Sequence, residues 1–486
     1  MRKPLSRQRR LDCSSPENVS LNFECRHEII PILRSLQHIY SQPILRDQIL
    51  ELVAQDVNLK SRDDCGRPGL DYWQILVLSA VRLGCDYEYD ELQDLAEQHR
   101  ALRQMMGLGD WDEEKFSFRR IRNNISLVRP ETIAAVDGLI VSEGHRLAPE
   151  AAKEIRADSF VMETNIHYPS ESTLIRDGVR KIIELIVPQA EASNLPGWRQ
   201  HEHLLGKVRK LTRRIERIAA RKGADYKRRL KKPYRQLLQL SGKILRKARA
   251  LCEELSALDD GCSMVFNVQK ISTFIERTQH VRQTARRRVL NSEKVPNNEK
   301  LFSIFEPHTQ LYKRGKAGKP VQFGRLILVF EDKAGFVVRH HLLARDKGDR
   351  DVIVEQTRAL QDVLNGKMES LSLDRGFHSP QNQLLLAKIV KHPCLPKPGA
   401  KQAAEQEKTA TVKFRKARQR HSGIESAIGA LQSGNGMKRC RDHTEIGFER
   451  YLALAILGRN LHTLGRLLIA QQAPKSLAAQ SKRKAA

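Results

Sequence analysis

The spacing of apolar residues divides the chain into helical and strand-like stretches. Between residues 26 and 143, and again between 174 and 291, apolar residues recur every three or four positions, which predicts helices. Shorter apolar runs at 155–168 and from 302 onwards, separated by Gly and Pro, predict strands. The pattern therefore indicates an α/β protein in which a helical block precedes the first strand and a helical insertion follows it.

The later strands and helices alternate in a recognisable order. The strands are predicted at Leu301–Phe305, Arg325–Phe330, Gly335–Leu343 and Leu371–Asp374, with a last strand-like closure near Pro393. A hairpin turn at Glu331–Ala334 joins the second and third of these. Without the insertion at 174–300, and apart from the Leu301–Phe305 run, which counts as one strand more, the order is β-β-β-α-β-α-β-α. This is the order of an RNase H-like fold with a mixed five-stranded sheet.

Three acidic residues stand out because of where they fall in these elements. Asp374 ends a buried strand and Asp158 lies inside the first one, although Asp is disfavoured in strands. Glu425 lies in the first turns of a helix at Ser422–Leu431. A buried carboxylate is costly unless a cation meets it, which favours a ligand or catalytic role. The plainer interpretations stay open: Asp374 caps the next helix or pairs with Arg375, and Asp158 faces water at a sheet edge.

In an RNase H-like order, carboxylates from the first strand, the fourth strand and a late helix converge. Three close carboxylates repel and would raise one another's pKa. Divalent cations relieve that repulsion, and Mg²⁺ prefers hard oxygen ligands. Two ions about 4 Å apart can stabilise both the attacking and the leaving oxygen of a phosphoryl displacement. Glu163 is the alternative ligand if the register of the first strand is different.

The charge composition of the chain indicates which class of molecule it binds. Lys and Arg number 85 against 57 Asp and Glu, a net charge of +28, which favours a polyanion. Ribosomal, chromatin and membrane-surface proteins share such surpluses. Aromatic residues make up only 5% of the chain, which argues against a single-strand binder built on stacking.

Several other kinds of site are excluded by spacing. The eight cysteines include no CxxC pair, so free thiols are expected rather than a zinc site. No run of about 18 apolar residues is apparent, so no membrane span is expected. Lys313–Pro320 lacks the residue order of a nucleotide-binding P-loop and is interpreted as a basic loop that touches a DNA backbone.

Five stretches, in this order along the chain, resemble those of DDE transposases of bacterial insertion sequences, in particular the group called ISNCY. They are Arg156–Ser159 with Asn165–Pro169, Ser303–Thr309, Lys313–Pro320, Asp374–Phe377 and Ser422–Ser426. The resemblance covers roughly residues 65–470. It implies metal-dependent cleavage at the element's ends and transfer of the freed 3′-OH into target DNA. It carries over Asp158, Asp374 and Glu425 as the catalytic and metal-binding triad, for Mg²⁺ or for Mn²⁺ as a substitute.

The helix around Glu425 lacks the Tyr-Arg-Glu-Lys spacing of some related transposases, since Gln432 stands seven residues beyond Glu425. Basic residues near the triad and in the Lys313–Pro320 loop are therefore the predicted DNA contacts. They are Lys313, Arg314, Lys316, Lys319, Arg420, Lys438 and Arg439.

These expectations give a domain plan and two rival functions. The plan has a disordered basic tail (1–25), a helical DNA-binding domain (26–150), a catalytic domain (151–470) with the insertion at 174–300, and a second tail (471–486). Expected partners are double-stranded DNA and a second copy of the chain, in the cytoplasm. The rivals are a catalytically inactive, element-derived DNA-binding protein and an RNase H-like nuclease that cuts without joining.

Overall fold

The computed structural model describes residues 13–59, 69–221, 223, 225–257, 261–313, 320–399, 402, 406 and 410–472. These residues form two compact units. The first unit contains the described residues up to Glu163 and from Leu326 onwards, and the second unit spans Thr164 to Arg325.

Helices and strands follow one another in three blocks. The first block is helical, with α1 (Ile29–Ser41), α2 (Pro43–Leu59), α3 (Tyr72–Gly84), α4 (Tyr89–Gln98), α5 (Arg100–Met105), α6 (Phe118–Ile125) and α7 (Pro130–Leu147). Strand β1 (Glu154–Thr164) then leads to α8 (Glu171–Ala192), α9 (His201–Arg221), α10 (Tyr226–Ala257) and α11 (Gly261–Ala285). The third block contains β2 (Gln310–Lys313), β3 (Val321–Glu331), β4 (Val337–Leu342), α12 (Asp349–Val363), β5 (Ser370–Ser372), α13 (Pro380–Ile389), β6 (His392–Cys394), α14 (Val412–His421), α15 (Gly423–Gly434), β7 (Arg439–Cys440) and α16 (Glu445–Gln472).

The first unit is an α/β structure with a mixed sheet. Strand β1 lies between β3 and β5, β6 follows β5, β4 pairs with β3, and β7 pairs with β1. Strands β1, β5 and β6 run parallel, whereas β3 and β4 form an antiparallel hairpin. The second half of β3, from Leu326 to Glu331, is continuously buried, as expected of a strand inside a sheet with both faces covered.

Helix α16 is the central element of this unit's core. Its residues from Tyr451 to Gly458 are all buried, and it packs against α1, α3 and α7. Gly458 permits the close approach to α3, because a Cβ there would lie 2.5 Å from the backbone nitrogen of Gly84. By length and composition α16 could cross a membrane, but 72% of its apolar window is buried inside the protein. Such burial is typical of a core helix.

The helices before β1 share that core. Buried side chains of this block, such as Trp73 and Val136, belong to the same apolar cluster as Phe160 of β1 and Val329 of β3. The domain plan drawn from the sequence makes residues 26–150 a separate domain. In the structure, these helices and the sheet lie in one compact unit. Apolar spacing marks which face of a helix is buried but not which element covers it.

The second unit is built mainly from α8–α11. Their apolar faces form a separate buried cluster that includes Ile182, Leu237 and Ile275. Strand β2 pairs antiparallel with the first residues of β3 inside this unit. The cations of α9 face outward and are exposed; they are Lys207, Arg209, Lys210, Arg213, Arg214 and Arg217.

The predicted strand at Leu301–Phe305 is wrong, because this stretch is irregular. The Ser303 hydroxyl accepts hydrogen bonds from the backbone N–H groups of Phe305 (3.2 Å) and Glu306 (3.0 Å), and such local bonds compete with a strand ladder. Ile304 is buried in the helical cluster of the second unit. Its apolar character therefore reflects packing against helices rather than strand pairing.

Two further differences concern strand number and the N-terminal segment. The described sheet has seven strands rather than five, since the short β2 and β7 add to the expected set. Part of the predicted N-terminal tail is ordered: Val19 is buried, and its carbonyl accepts a hydrogen bond from Gln37 Nε2 at 2.8 Å. Residues 1–12 and 473–486 lie outside the described part of the chain.

Candidate active site

The register between β1 and β5 sets the relation of the two predicted aspartates. Arg156 of β1 lies opposite Ser372 of β5 in a parallel pair. Asp158 and Asp374 each follow two residues after this pair, in the direction of their own strand. The backbone of Asp374 is still extended (φ −78°, ψ 165°). Adjacent strands are about 4.8 Å apart. Continuing the register therefore makes the two aspartates neighbours where β5 ends.

Asp158 lies on a half-buried face of β1. Alternate residues of a strand share a face, and Glu154, Arg156 and Asp158 are all half-buried while Ile155 and Ala157 are buried. The Asp158 Oδ1 atom accepts a hydrogen bond from the backbone N–H of Ser159 at 2.7 Å.

Asp374 begins the connection from β5 to α13, and its side chain is exposed. The turn behind it is fixed by side chains of neighbouring helices. Arg350 Nε donates to the carbonyl of Gly376 at 2.9 Å, and Asn382 Nδ2 donates to the carbonyl of Phe377 at 3.0 Å. Asp374 stands at the start of a short 3-10 helix (Arg375–Phe377), but its side chain makes no capping hydrogen bond there, and the Ser379 hydroxyl caps α13.

Glu425 lies in the first turn of α15, and its side chain is exposed. The helix is held by its apolar stripe, in which Ile424, Ala427 and Leu431 are buried. Glu425 is therefore on the opposite, solvent-facing side of a helix whose inner face is fixed in the core.

Arg156 anchors the start of α15 to β1. Its Nη1 atom donates to the carbonyl of Arg420 at 3.1 Å, and its Nε atom donates to Glu331 Oε2 at 2.5 Å. At Gly423 a Cβ would collide with the guanidinium of Arg156, so only glycine allows this approach. Sequence reasoning missed Arg156, Glu331 and Gly423. The sequence did offer one indication of Arg156: it lies two residues before Asp158, and alternate residues of a strand share a face.

Arg420 adds a second attachment at the same place. Its Nη1 atom donates to the carbonyl of Glu154 at 3.0 Å and to the Glu154 carboxylate at 3.1 Å. Lys333 also pairs with that carboxylate, at 2.6 Å. The predicted DNA contact Arg420 is thus half-buried and bound to the sheet.

His421 lies within electrostatic reach of two of the three predicted carboxylates. Its Nδ1 atom is 3.3 Å from the Ser372 hydroxyl. Burial lowers the pKa of His421, although the charges of Asp374 and Glu425 both act to raise it. This imidazole therefore lies near the end of β5, which Asp374 follows, and near the start of α15, which contains Glu425.

The three carboxyl groups do not converge on one point. Within the described ranges, no group of three or more His, Cys, Asp or Glu side chains is placed to hold a metal ion. The donor chemistry suits Mg²⁺, since all three predicted ligands are carboxylates. Asp374 and Glu425 are exposed, so their side chains can turn without any repacking of the core. The structure thus pairs β1 with β5 up to two residues before Asp158 and Asp374 and holds the start of α15 against Arg156 of β1, but it does not gather the three side chains.

The remaining predicted DNA contacts divide into two groups. Lys438 and Arg439 are exposed, and β7 lies beside β1: the Lys438 carbonyl accepts from the backbone N–H of Glu163 at 3.2 Å, and Arg439 pairs with the Glu163 carboxylate at 3.4 Å. Lys313 is exposed at the end of β2. Arg314, Lys316 and Lys319 lie outside the described residues.

A cavity of about 310 Å³ lies beside α14 but is not the predicted site. Its lining includes Glu154, Ser370, Lys413 and Arg420 and none of the three predicted carboxylates. Glu154 already pairs with Arg420 there. We therefore place the candidate active site at Asp158 and Asp374 and not in this cavity.

Comparison of the chain with protein-family models, with curated proteins and with solved structures found no match. The functional evidence therefore consists of the geometry of the residues themselves. Its central feature is the parallel pairing of β1 with β5, which ends two residues before Asp158 and Asp374.

Proposed function

We propose that the protein is a DDE transposase that cleaves DNA at the ends of an insertion sequence and joins the freed 3′ ends to target DNA. One observation carries this proposal: the parallel pairing of β1 and β5 ends two residues before Asp158 on one strand and two residues before Asp374 on the other, and extending that register makes the two aspartates neighbours. Two neighbouring carboxylates, one inside β1 and one just after β5, are suited to binding divalent cations.

The sheet supports an RNase H-like interpretation of the fold. Its strands follow the spatial order β4–β3–β1–β5–β6. The β3–β4 hairpin is antiparallel, and β1, β5 and β6 are parallel. This is the order expected if a three-stranded meander is extended by two βα units, with carboxylates contributed by the first and fourth strands.

Asp158, Asp374 and Glu425 are the proposed ligands of Mg²⁺, with Mn²⁺ as a substitute. Bound divalent ions would supply Lewis-acid activation of a phosphodiester and of the attacking water. The chain's own contribution is to position these ligands. Arg156 and the glycine at 423 hold the first turn of α15 against β1, and the bonds from Arg350 and Asn382 fix the turn after Asp374.

The partner proposed for this site is double-stranded DNA, both the element ends and the target. The net charge of +28 favours binding to phosphates through counterion release. Lys438 and Arg439 are exposed on β7, next to β1, and are the proposed backbone contacts nearest the site; the basic segment at 313–319 is proposed as another. Joining two ends in concert requires two active sites, so we propose a homodimer on DNA, acting in the bacterial cytoplasm.

The test is the Asp374→Asn variant, with Asp362→Asn as its matched control because Asp362 is an exposed aspartate on α12. Purified proteins would be incubated with Mg²⁺ and a duplex carrying the DNA that flanks the gene. We expect Asp374→Asn to bind the duplex normally and to lose nicking and strand transfer by at least about a hundredfold. Strand transfer equal to that of the control would refute the proposal.

A second candidate is an element-derived DNA-binding protein without catalysis. It is favoured by the observation that no three ligand side chains converge within the described residues. This candidate predicts end binding with no metal-dependent nicking by the unaltered protein. Supplying ends that are already cut separates a third candidate, a nuclease that cuts without joining, because only a transposase would transfer them.

A further inference from the structure

A cluster of cations on α16 lies apart from the candidate active site. Arg459, His462 and Arg466 follow one another at helical spacing and share one face. They line a cavity of about 210 Å³ above the turn between β3 and β4. The rest of the lining is small or uncharged and consists of Ala334, Gly335, Thr463 and Leu467.

Within the described part of the chain, no acidic side chain forms an ion pair with this cluster. Among the described residues, the structure gives no hydrogen bond or ion pair to the side chains of Arg459, His462 or Arg466. The acidic group that acts on the charge of Arg459 is the carboxylate of Glu331. That carboxylate is almost fully buried and already accepts a hydrogen bond from Arg156 at 2.5 Å.

The other acidic residue of the turn is also occupied. Asp332 Oδ1 accepts hydrogen bonds from the backbone N–H groups of Ala334 (2.8 Å), Gly335 (2.9 Å) and Phe336 (3.0 Å). Its Oδ2 atom is bonded to His145 Nε2 at 2.9 Å. The turn therefore offers neither a free carboxylate to neutralise the arginines nor free amides to bind a ligand.

The cations are partly desolvated and repel one another. Burial lowers the pKa of Arg459, and the charges of Arg466 and Arg156 lower it further against the effect of Glu331. Burial, followed by the charges of Arg459 and Arg466, lowers the pKa of His462 to about 4, so its imidazole is neutral at pH 7. The carboxylate of Glu331 that acts on Arg459 is already hydrogen-bonded to Arg156, so it must balance more than one guanidinium. An anion in the cavity would reduce the cost of this half-buried, excess positive charge.

We propose that this cavity binds a phosphate group through Arg459 and Arg466, with a neutral His462 as an additional hydrogen-bond donor. The planar guanidinium matches phosphate oxygens in a bidentate arrangement. The lining contains no Phe, Tyr or Trp ring on which a base could stack, so the group recognised is the phosphate rather than a nucleobase. Its source is either a nucleic-acid backbone or a free phosphate compound. The site is independent of the proposed catalysis, since neither arginine belongs to the triad.

The test compares Arg466→Gln with Arg358→Gln, a matched control because Arg358 is an exposed cation on α12. Arg466 is exposed, so its replacement leaves the core intact. Arg459→Met, which keeps an apolar stem along the half-buried face, is the second variant. Circular dichroism would establish that each variant is folded. If Arg459→Met does not fold, Arg466→Gln alone is compared with the control.

Two probes separate the sources of the phosphate, in phosphate-free buffer. The first probe is inorganic pyrophosphate, measured by calorimetry. The second is a 20-base-pair duplex of arbitrary sequence, measured by fluorescence anisotropy from 50 to 200 mM salt. For a backbone site, Arg466→Gln weakens duplex binding by about tenfold and lowers the slope of log affinity against log salt by about one, without any sequence preference.

For a free phosphate compound, Arg466→Gln abolishes pyrophosphate binding and leaves the duplex affinity within the range of the control. Either result supports the site and identifies its ligand. The proposal is overturned if Arg466→Gln and Arg358→Gln behave alike with both probes.

Discussion

The half-buried face of β1 has two parts that differ in how their charges are used. In the first part, Glu154 and Arg156 are both paired, with Arg420, Lys333 and Glu331. The second part contains Asp158. The predicted partners of Asp158, the carboxylates of Asp374 and Glu425, are exposed, and the three groups do not form a metal site among the described residues.

This difference between the two parts of the β1 face separates residues that position the helices from residues proposed to bind the metal ions. The charge pair of Glu154 with Arg420 fixes the end of α14, which leads into α15, to the strand, whereas the exposed carboxylates of Asp374 and Glu425 keep the freedom that ligand binding needs. A fully paired triad would be a structural network. Exposed carboxylates beside a rigid anchor are better suited to receive a cation.

The largest expected effect comes from breaking the anchor. Arg156→Met leaves the carboxylate of Glu331 buried without its hydrogen-bond donor, and we expect a loss of about 3 kcal/mol in the free energy of unfolding. Urea denaturation followed by circular dichroism measures it. Arg439→Met is the control, because the pair of Arg439 with Glu163 is exposed on the arginine side and should change stability by less than about 1 kcal/mol.

A double variant sharpens this result. Adding Glu331→Gln to Arg156→Met removes the stranded charge, so we expect it to recover more than half of the lost stability. Equal losses in Arg156→Met and Arg439→Met would show that the first part of the face is not an anchor.

The next effect, of intermediate size, concerns two glycines of the same helix. In Gly423→Ala the new Cβ meets the guanidinium of Arg156, whereas in Gly429→Ala it meets nothing within 4 Å. We expect Gly423→Ala to destabilise by about 2 kcal/mol and Gly429→Ala to stabilise by about 0.5–1 kcal/mol. Thermal unfolding of the two variants measures the difference in sign.

The same pair tests positioning against chemistry. If α15 must be held at β1 to bring Glu425 near Asp158, Gly423→Ala also reduces Mg²⁺-dependent nicking, and Gly429→Ala does not. A Gly423→Ala protein with unchanged stability and nicking would contradict the close contact.

Much of the β1–β5 arrangement could be predicted from local pattern. The apolar run into Asp374 and the Ser-Pro that follows it mark a strand end and a helix start, because strand period and helix capping are local properties. The apolar stripe of Ile424, Ala427 and Ile428 likewise marks the buried face of α15.

What could not be predicted depends on contacts distant in sequence. The bond from Arg156 to Glu331 joins residues 175 positions apart, and no local period signals it. The same limit explains the error at Leu301–Phe305: an apolar run has the same appearance whether it pairs in a sheet or packs on helices. The side-chain orientation of Glu425 is not encoded by spacing either, since an exposed carboxylate has several rotamers.

The smallest expected effect is a pH dependence in the paired part of the face. The hydrogen bond from Lys333 is the main cause that lowers the pKa of Glu154, and the charges of Lys333 and Arg420 act in the same direction. A lowered pKa means that the unfolded chain binds the proton more tightly, so the stabilisation is present at pH 7 and is lost as the pH falls below about 4.5. Because the pair is partly exposed, Glu154→Gln should cost less than about 1 kcal/mol at pH 7. Urea midpoints of the variant and the unaltered protein should differ at pH 7, and the difference should shrink as the pH falls below about 4.5. A difference that does not shrink would mean that Glu154 acts through packing rather than charge, and the contrast between the two parts of β1 would then not be electrostatic at this residue.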